Sequence, residues 1–547
     1  MNQNNTKISK DYEYYINYGL KNINNLNNKI AIDSFKKAIR LDKQNFKAYI
    51  NLANLYILNN NIEESTELLI KYTKSYGFEK NIIHHLSKIC IKYNLLNDLE
   101  NLFDILKIKN LKKIKNNSFI FFIEGKYYEK KSLMDLAVIS YSNSISCDKL
   151  FFDSYARILN ILETINNLRL LEKYLDLGFK NLVEEHHINI LTLFRCILLN
   201  RKKRYKESQS IINEKFLNNK FLNDKFYLPK ILDLESKNYE KLNDHTLAFQ
   251  KVKLRNNILY KLDINKKFDQ DVIFNTIYKY KHFYNKKNVE SINNRLHYND
   301  DSNLVFLVGF PRSGTTLLDT ILRTHSKINV LEEQPFLLNL RHKFFIKNNN
   351  KLESLKKITQ YEKDQIRETY FNDINYHKNK ITIDKLPLSI IELGFIKCIF
   401  PNSRIILAQR HPCDVVISCF FTWFKINDAM INFLDWNKTL KFYNSVFDLF
   451  EFYESQLNLN IFNIKYENVV YDFENQINLL LNYLGLNYED NLQKFHITAK
   501  QRKKISTPSY TQVINPLYTT SINKWKNYNN IIDPMPNLEK WVRKFNY

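Results

Sequence analysis

The chain has 547 residues, more than one hydrophobic core ordinarily organises, so two or more domains are expected. Hydrophobic residues make up 44% and charged residues 25%, enough apolar material for globular folding, and only 8 Gly and 10 Pro favour helices over a turn-rich β architecture. The net charge of +24 suits an anionic nucleotide or an acidic peptide. Lys and Asn abound along the whole chain without a Lys/Arg block, so composition does not point to nucleic acid. Cys90, Cys147, Cys196, Cys398, Cys413 and Cys419 are scattered and form no C-x-x-C pair, which argues against a zinc site or a disulfide framework and for a reducing compartment.

The first thirty residues are polar and rich in Asn and Lys, and no later run reaches membrane-spanning length, so a cytoplasmic protein without a transmembrane segment is expected. An internal repeat follows. Tyr15, Gly19, Ala31, Phe35 and Ala38 recur 34 residues later as Tyr49, Ala53, Ser65, Leu69 and Tyr72, and again as Ser87, Leu99, Phe103 and Leu106. After a four-residue offset the frame returns at Gly125, Tyr128, Ala137, Tyr141 and Ser144. Small residues at close-approach positions between large apolar ones are what stacked helix pairs require.

This pattern resembles the tetratricopeptide repeat, although Lys43 and Lys149 stand where that repeat usually carries proline. From about Phe151 to Asn257 the period blurs, with Arg204-Tyr205-Lys206-Glu207-Ser208 and Leu247-Ala248-Phe249 as further helix starts. A helical solenoid over 1–260 is therefore expected, then a helical connector and polar linker over 261–302. Within the solenoid, Glu184-Glu185-His186-His187 matches no metal-ligand spacing and reads as helix surface.

The second half opens on Leu304-Val305-Phe306-Leu307-Val308, an apolar run that reads as a strand buried on both faces in a parallel sheet. Gly309-Phe310-Pro311-Arg312-Ser313-Gly314-Thr315-Thr316 then makes a tight turn into a helix, whose free N–H groups would face an anion. The two glycines keep the spacing of a nucleotide P-loop. Thr315 occupies the lysine position, however, which weakens an ATPase reading, and Arg312 supplies the cation instead.

Four more constellations follow. Val330-Leu331-Glu332-Glu333 ends a strand-like run in two carboxylates, either of which can serve as a general base. Lys380-Ile381-Thr382-Ile383-Asp384-Lys385-Leu386-Pro387 is a strand ending in a cation that can neutralise charge on a leaving oxygen. Arg404 to Asp414 is a strand and turn before a helix holding Ser418, from which Arg410 and Ser418 can reach one phosphate. Ile464-Lys465-Tyr466-Glu467 ends another strand, and Thr507 to Pro516 leads to Lys524-Trp525-Lys526.

In this order, the motifs resemble sulfotransferases that use 3′-phosphoadenosine 5′-phosphosulfate (PAPS). Around the site they resemble protein-tyrosine sulfotransferases, over about residues 303 to 530. The resemblance implies that Arg312 holds the 5′-phosphate, with Ser313, Gly314, Thr315 and Thr316 as its backbone and hydroxyl cradle. Glu333 matches the catalytic base, Lys385 the lysine acting on the bridging oxygen, and Ser509 the serine assisting it. Arg410 and Ser418 match the 3′-phosphate ligands, Tyr466 the tyrosine at the adenine, and Lys524 a lysine at the nucleotide. Two departures stand out: Pro335 and Thr422 occupy positions where the tyrosine enzymes carry arginines. The animal relatives are anchored in the Golgi, whereas this sequence displays no anchor.

The expected architecture is thus an all-α tetratricopeptide-like solenoid followed, over 303–547, by an α/β P-loop-like domain with a central parallel sheet. The expected activity is metal-free transfer of a sulfonate group from PAPS to a hydroxyl. The acceptor is a tyrosine in an acidic protein segment presented to the repeats, with a glycan hydroxyl as the alternative. A nucleotide-dependent kinase and a repeat scaffold with an inactive domain are the rival classes.

Overall fold

In the computed structural model, residues 2–109, 117–216, 227–293, 303–347, 351–377, 379–501 and 516–547 are described. They fall into two units, Met1–Lys202 and Lys203–Tyr547. Ser509 and most of the segment from Thr507 to Pro516 lie outside the described residues.

The first unit is helical from Asn2–Asn24 to Glu185–Arg201, and most of its described helices pack on the next in sequence. Its rhythm is set at the turns. Leu26, Asn60, Asn94, Ser132 and Asn166 all take left-handed backbone with φ between +57° and +61°, at intervals of 34, 34, 38 and 34 residues. Three of the five are Asn, which tolerates that conformation better than other side chains. The single interval of 38 is the four-residue offset seen in the sequence, and Asn166 keeps the frame where the side-chain pattern has already faded.

Close approach explains the small residues. A Cβ at Gly19 would lie 2.6 Å from the Phe35 ring, and at the equivalent Gly125 it would lie 2.4 Å from the Tyr141 ring. Both rings are wholly buried. Near the positions where proline is replaced by lysine, Tyr49 donates its hydroxyl to the Lys43 carbonyl at 3.1 Å and Tyr155 does the same to Lys149 at 3.2 Å. A side-chain hydrogen bond fixes the chain there.

The second unit includes helices Tyr205–Phe216, Leu228–Lys241 and His245–Lys261. Arg255, with no exposed surface, donates to the carbonyls of Phe420 at 3.3 Å and Phe421 at 3.1 Å, and Asn256 donates to that of Phe420 at 3.1 Å. These bonds satisfy buried carbonyls that would otherwise be costly.

A five-stranded sheet forms the centre: β1 (Leu304–Gly309), β2 (Ile328–Glu332), β3 (Ile381–Lys385), β4 (Arg404–Gln409) and β5 (Ile461–Lys465). All pairings are parallel and the order is β2-β3-β1-β4-β5, which agrees with the expected parallel α/β sheet. Every residue of β1 is buried, as an apolar run covered on both faces must be. Leu304, Phe306 and Val308 join a core that includes residues of helices Leu393–Ile399, Pro412–Phe421 and Trp436–Gln456. Val305 and Leu307 point the other way, into a core with Thr315–Arg323 and Phe473–Leu484. Each such side chain contributes about 1.5–3 kcal/mol of burial.

After β1 the chain crosses to one edge of the sheet, and after β4 it goes to the other. The carboxyl ends of β1 and β4 therefore flank the switch in direction where open α/β sheets bind ligands. No helix among the described residues is long and apolar enough to cross a membrane.

Candidate functional site

Each strand delivers one candidate residue at its carboxyl end: Arg312 after β1, Glu333 after β2, Lys385 at the end of β3, Arg410 after β4 and Tyr466 after β5. Residues scattered over more than 150 positions thereby share one edge of the sheet. Ser418, on the helix after β4, joins them.

The turn after β1 is shaped by Gly314, which caps helix Thr315–Arg323 with φ +95°. A Cβ there would stand 3.0 Å from the Tyr466 ring, so the loop and the β5 end close on each other only with glycine in place. Ser313, Thr315 and Thr316 are all buried, and the Ser313 hydroxyl has no hydrogen-bond partner among the described residues. The helix start lends the loop a partial positive charge.

Arg312 has φ +70°; its Nε donates to Ser418 Oγ at 3.0 Å, and its carbonyl accepts from Arg410 Nη1 at 3.1 Å. Burial first, and then the Arg410 guanidinium, pulls the Arg312 pKa down. Arg410 lies over the Tyr466 ring at 5.1 Å, donates to the Ser521 carbonyl at 2.6 Å, and keeps a buried Nε without a partner among the described residues. Orphaned buried donors on Ser313 and on Arg410 itself, beside the Arg312 guanidinium, fit a phosphorylated ligand.

On the other side of β1, Glu333 has φ +47° and its N–H donates to the Lys385 carbonyl at 2.8 Å. Lys385 Nζ, fully buried, donates to Glu333 Oε1 at 2.8 Å, and Glu333 remains 28% exposed at its side chain. The expected base and the expected lysine are therefore partners. Glu332 is the last residue of β2, opposite Lys385 in register.

Sequence reasoning missed three carboxylates. Asp319, wholly buried, lies 3.5 Å from Lys385 Nζ. An acid inside the apolar run Leu317-Leu318-Asp319-Thr320-Ile321-Leu322 was the available signal. Asp414 accepts from the N–H groups of Asn523 and Trp525, both at 2.8 Å, and so fixes the C-terminal segment near Arg410. Glu467 accepts from the His411 N–H at 2.9 Å and from the Tyr547 hydroxyl at 2.8 Å. Burial, then Lys526 and Arg410, pulls the His411 pKa down to about 4.

Lys524 is engaged with a carboxylate. Its ammonium pairs with Glu240, which also accepts from the Tyr528 hydroxyl at 2.8 Å. Thr422 donates its hydroxyl to the Ser418 carbonyl at 2.6 Å, and the Pro335 carbonyl accepts from the Asn339 N–H at 2.8 Å.

Residues 305–490 match the family model described as Sulfotransferase family, and residues 34–67 match a tetratricopeptide repeat model. An uncharacterized protein of Aquifex aeolicus is 26% identical over 319 residues, covering 55% of this chain and 40% of its own length. Protein-tyrosine sulfotransferase A of Caenorhabditis elegans is 24% identical over 268 residues, covering 46% of this chain and 68% of its own. Among solved structures, the sulfotransferase domain from the curacin biosynthetic pathway aligns with a TM-score of 0.32 at 18% identity, covering 46% of this chain and 99% of that one. Thus residues 305–490 are a sulfotransferase-family domain, carried in the same polypeptide as a tetratricopeptide repeat.

Proposed function

We propose that this protein transfers a sulfonate group from PAPS to a hydroxyl acceptor, and that the acceptor is a tyrosine in an acidic protein segment. The observation that carries the reading is the convergence of Arg312, Glu333, Lys385, Arg410 and Tyr466 at the carboxyl ends of the five parallel strands. When bound, PAPS supplies a sulfur whose bond to the 5′-phosphate oxygen breaks as a bond to the acceptor oxygen forms. Arg312, Ser313 and the amides of Gly314, Thr315 and Thr316 hold the 5′ side, and Arg410 with Ser418 holds the 3′-phosphate. The exposed edge of Glu333 takes the acceptor's proton. Lys385 supplies positive charge where the leaving oxygen develops negative charge, and Ser509 assists it. Tyr466 meets the adenine, and Lys524 reaches the nucleotide on leaving Glu240.

The tyrosine reading draws on the distant likeness to protein-tyrosine sulfotransferase A and on the repeat, an architecture suited to extended peptides. Titration calorimetry with adenosine 3′,5′-diphosphate and with ATP tests the donor, and preferential binding of the diphosphate is expected. Binding of ATP alone would sink the proposal in favour of a kinase. Labelled PAPS added to host extract tests the acceptor: label on tyrosine is expected, whereas label confined to glycans would replace the tyrosine reading with the saccharide one.

A further inference from the structure

Lys385 has no exposed surface and faces two carboxylates, Glu333 at 2.8 Å and Asp319 at 3.5 Å. The two acids differ. Glu333 reaches solvent with 28% of its side chain, whereas Asp319 has none exposed and sits on a helix whose residues from Thr315 to Leu322 are all buried. Its Oδ1 accepts from Arg323 Nε at 2.9 Å, with Arg323 Nη2 at 2.8 Å, and its Oδ2 is turned to Lys385. A buried carboxylate on an apolar helix face is unfavourable unless it is paired, and it is seldom kept for stability alone.

The charge balance of the proposed reaction, on which this inference rests, gives Asp319 a task. When Glu333 turns to the acceptor and takes its proton, its charge is lost to Lys385, and the buried ammonium is left between the developing charge of the leaving oxygen on one side and Asp319 on the other. An ammonium drawn to the leaving oxygen alone would follow that group out of its place. A second carboxylate out of reach of the acceptor keeps the lysine in place. It also lets Glu333 turn from Lys385 towards the acceptor, because the lysine retains a partner. We propose that Asp319 is a positioning residue that holds the Lys385 ammonium through the change of charge on Glu333, with Arg323 fixing the Asp319 carboxylate.

The test uses the full chain labelled on its lysine side chains for NMR, with the Lys385 signal assigned by its absence in Lys385→Met. In Asp319→Asn the Lys385 signal is expected to shift or broaden in the ligand-free protein, and in Asp319→Glu to stay near its wild-type position. Turnover in Asp319→Asn is expected to fall by about tenfold to a hundredfold, as for loss of outer partners of catalytic groups, with the nucleotide KM changed less than about threefold. Asp319→Glu is expected to recover most of kcat, which a merely structural defect would not predict. Arg323→Met loosens the same carboxylate without touching Lys385 and is expected to repeat the pattern more weakly, so the inference stays testable should Asp319→Asn fail to fold. An unmoved Lys385 signal in Asp319→Asn and Arg323→Met, or wild-type kcat in both, would overturn it. A wild-type protein inactive on every hydroxyl acceptor would remove the proposed function instead, and the lysine signals would still decide whether Asp319 holds Lys385.

Discussion

Arg312 at φ +70° and Glu333 at φ +47° occupy left-handed backbone that costs a side-chain-bearing residue about 1–2 kcal/mol. The cost is offset by what the twist aims: a guanidinium at Ser418 and a carboxylate at Lys385. Glu333→Gln keeps the shape and removes the base, so kcat should fall by about a hundredfold or more while adenosine 3′,5′-diphosphate affinity holds, and Glu332→Gln should do far less. Steady-state rates beside calorimetry check both, and the reverse ranking would reassign the base. Asp384 offers a pH test: burial raises its pKa to about 6, against the hydrogen bond from Tyr370 and the nearby Lys385. Because the folded value lies above the unfolded one, its contribution to stability is full below about pH 4 and is lost as pH rises through 6. Asp384→Asn should therefore gain melting temperature relative to wild type between pH 4.5 and 7.5, and a difference independent of pH would contradict this.

Among the elements, the repeat helices make opposing demands at Gly19 and Gly125. Alanine is favoured over glycine inside a helix by about 1 kcal/mol. Yet a Cβ at Gly125 would meet the Tyr141 ring at 2.4 Å, and overpacking of that kind costs about 1–3 kcal/mol. Packing should win, so Gly125→Ala is expected to destabilise the first unit, as read by denaturant unfolding followed by helix content. A more stable variant would mean that the ring moves aside at little cost. Strand β1 poses no such conflict, since parallel pairing demands apolar residues on both faces and β1 supplies them throughout.

For the whole molecule, the net charge of +24 sets the expected response to salt. Screening shortens the reach of charge to roughly 8 Å at physiological ionic strength, so the KM for an acidic peptide should rise with salt while that for a neutral one changes little. Equal responses would make the charge a matter of composition alone. Legible in the residues alone are the repeat frame with its offset, because the same side-chain pattern returns at a fixed interval, and the strand-loop-helix at Arg312 with the strand ends that carry Glu333, Lys385, Arg410 and Tyr466, because each is written in a short stretch of chain. The partners come from the fold. Lys385 lies 66 positions from Asp319, Asn523 lies 109 from Asp414 and Lys524 lies 284 from Glu240, and no local pattern announces such pairs. They arise because a buried or half-buried charge has little water to turn to, and the fold determines which opposite charge or N–H group is within reach.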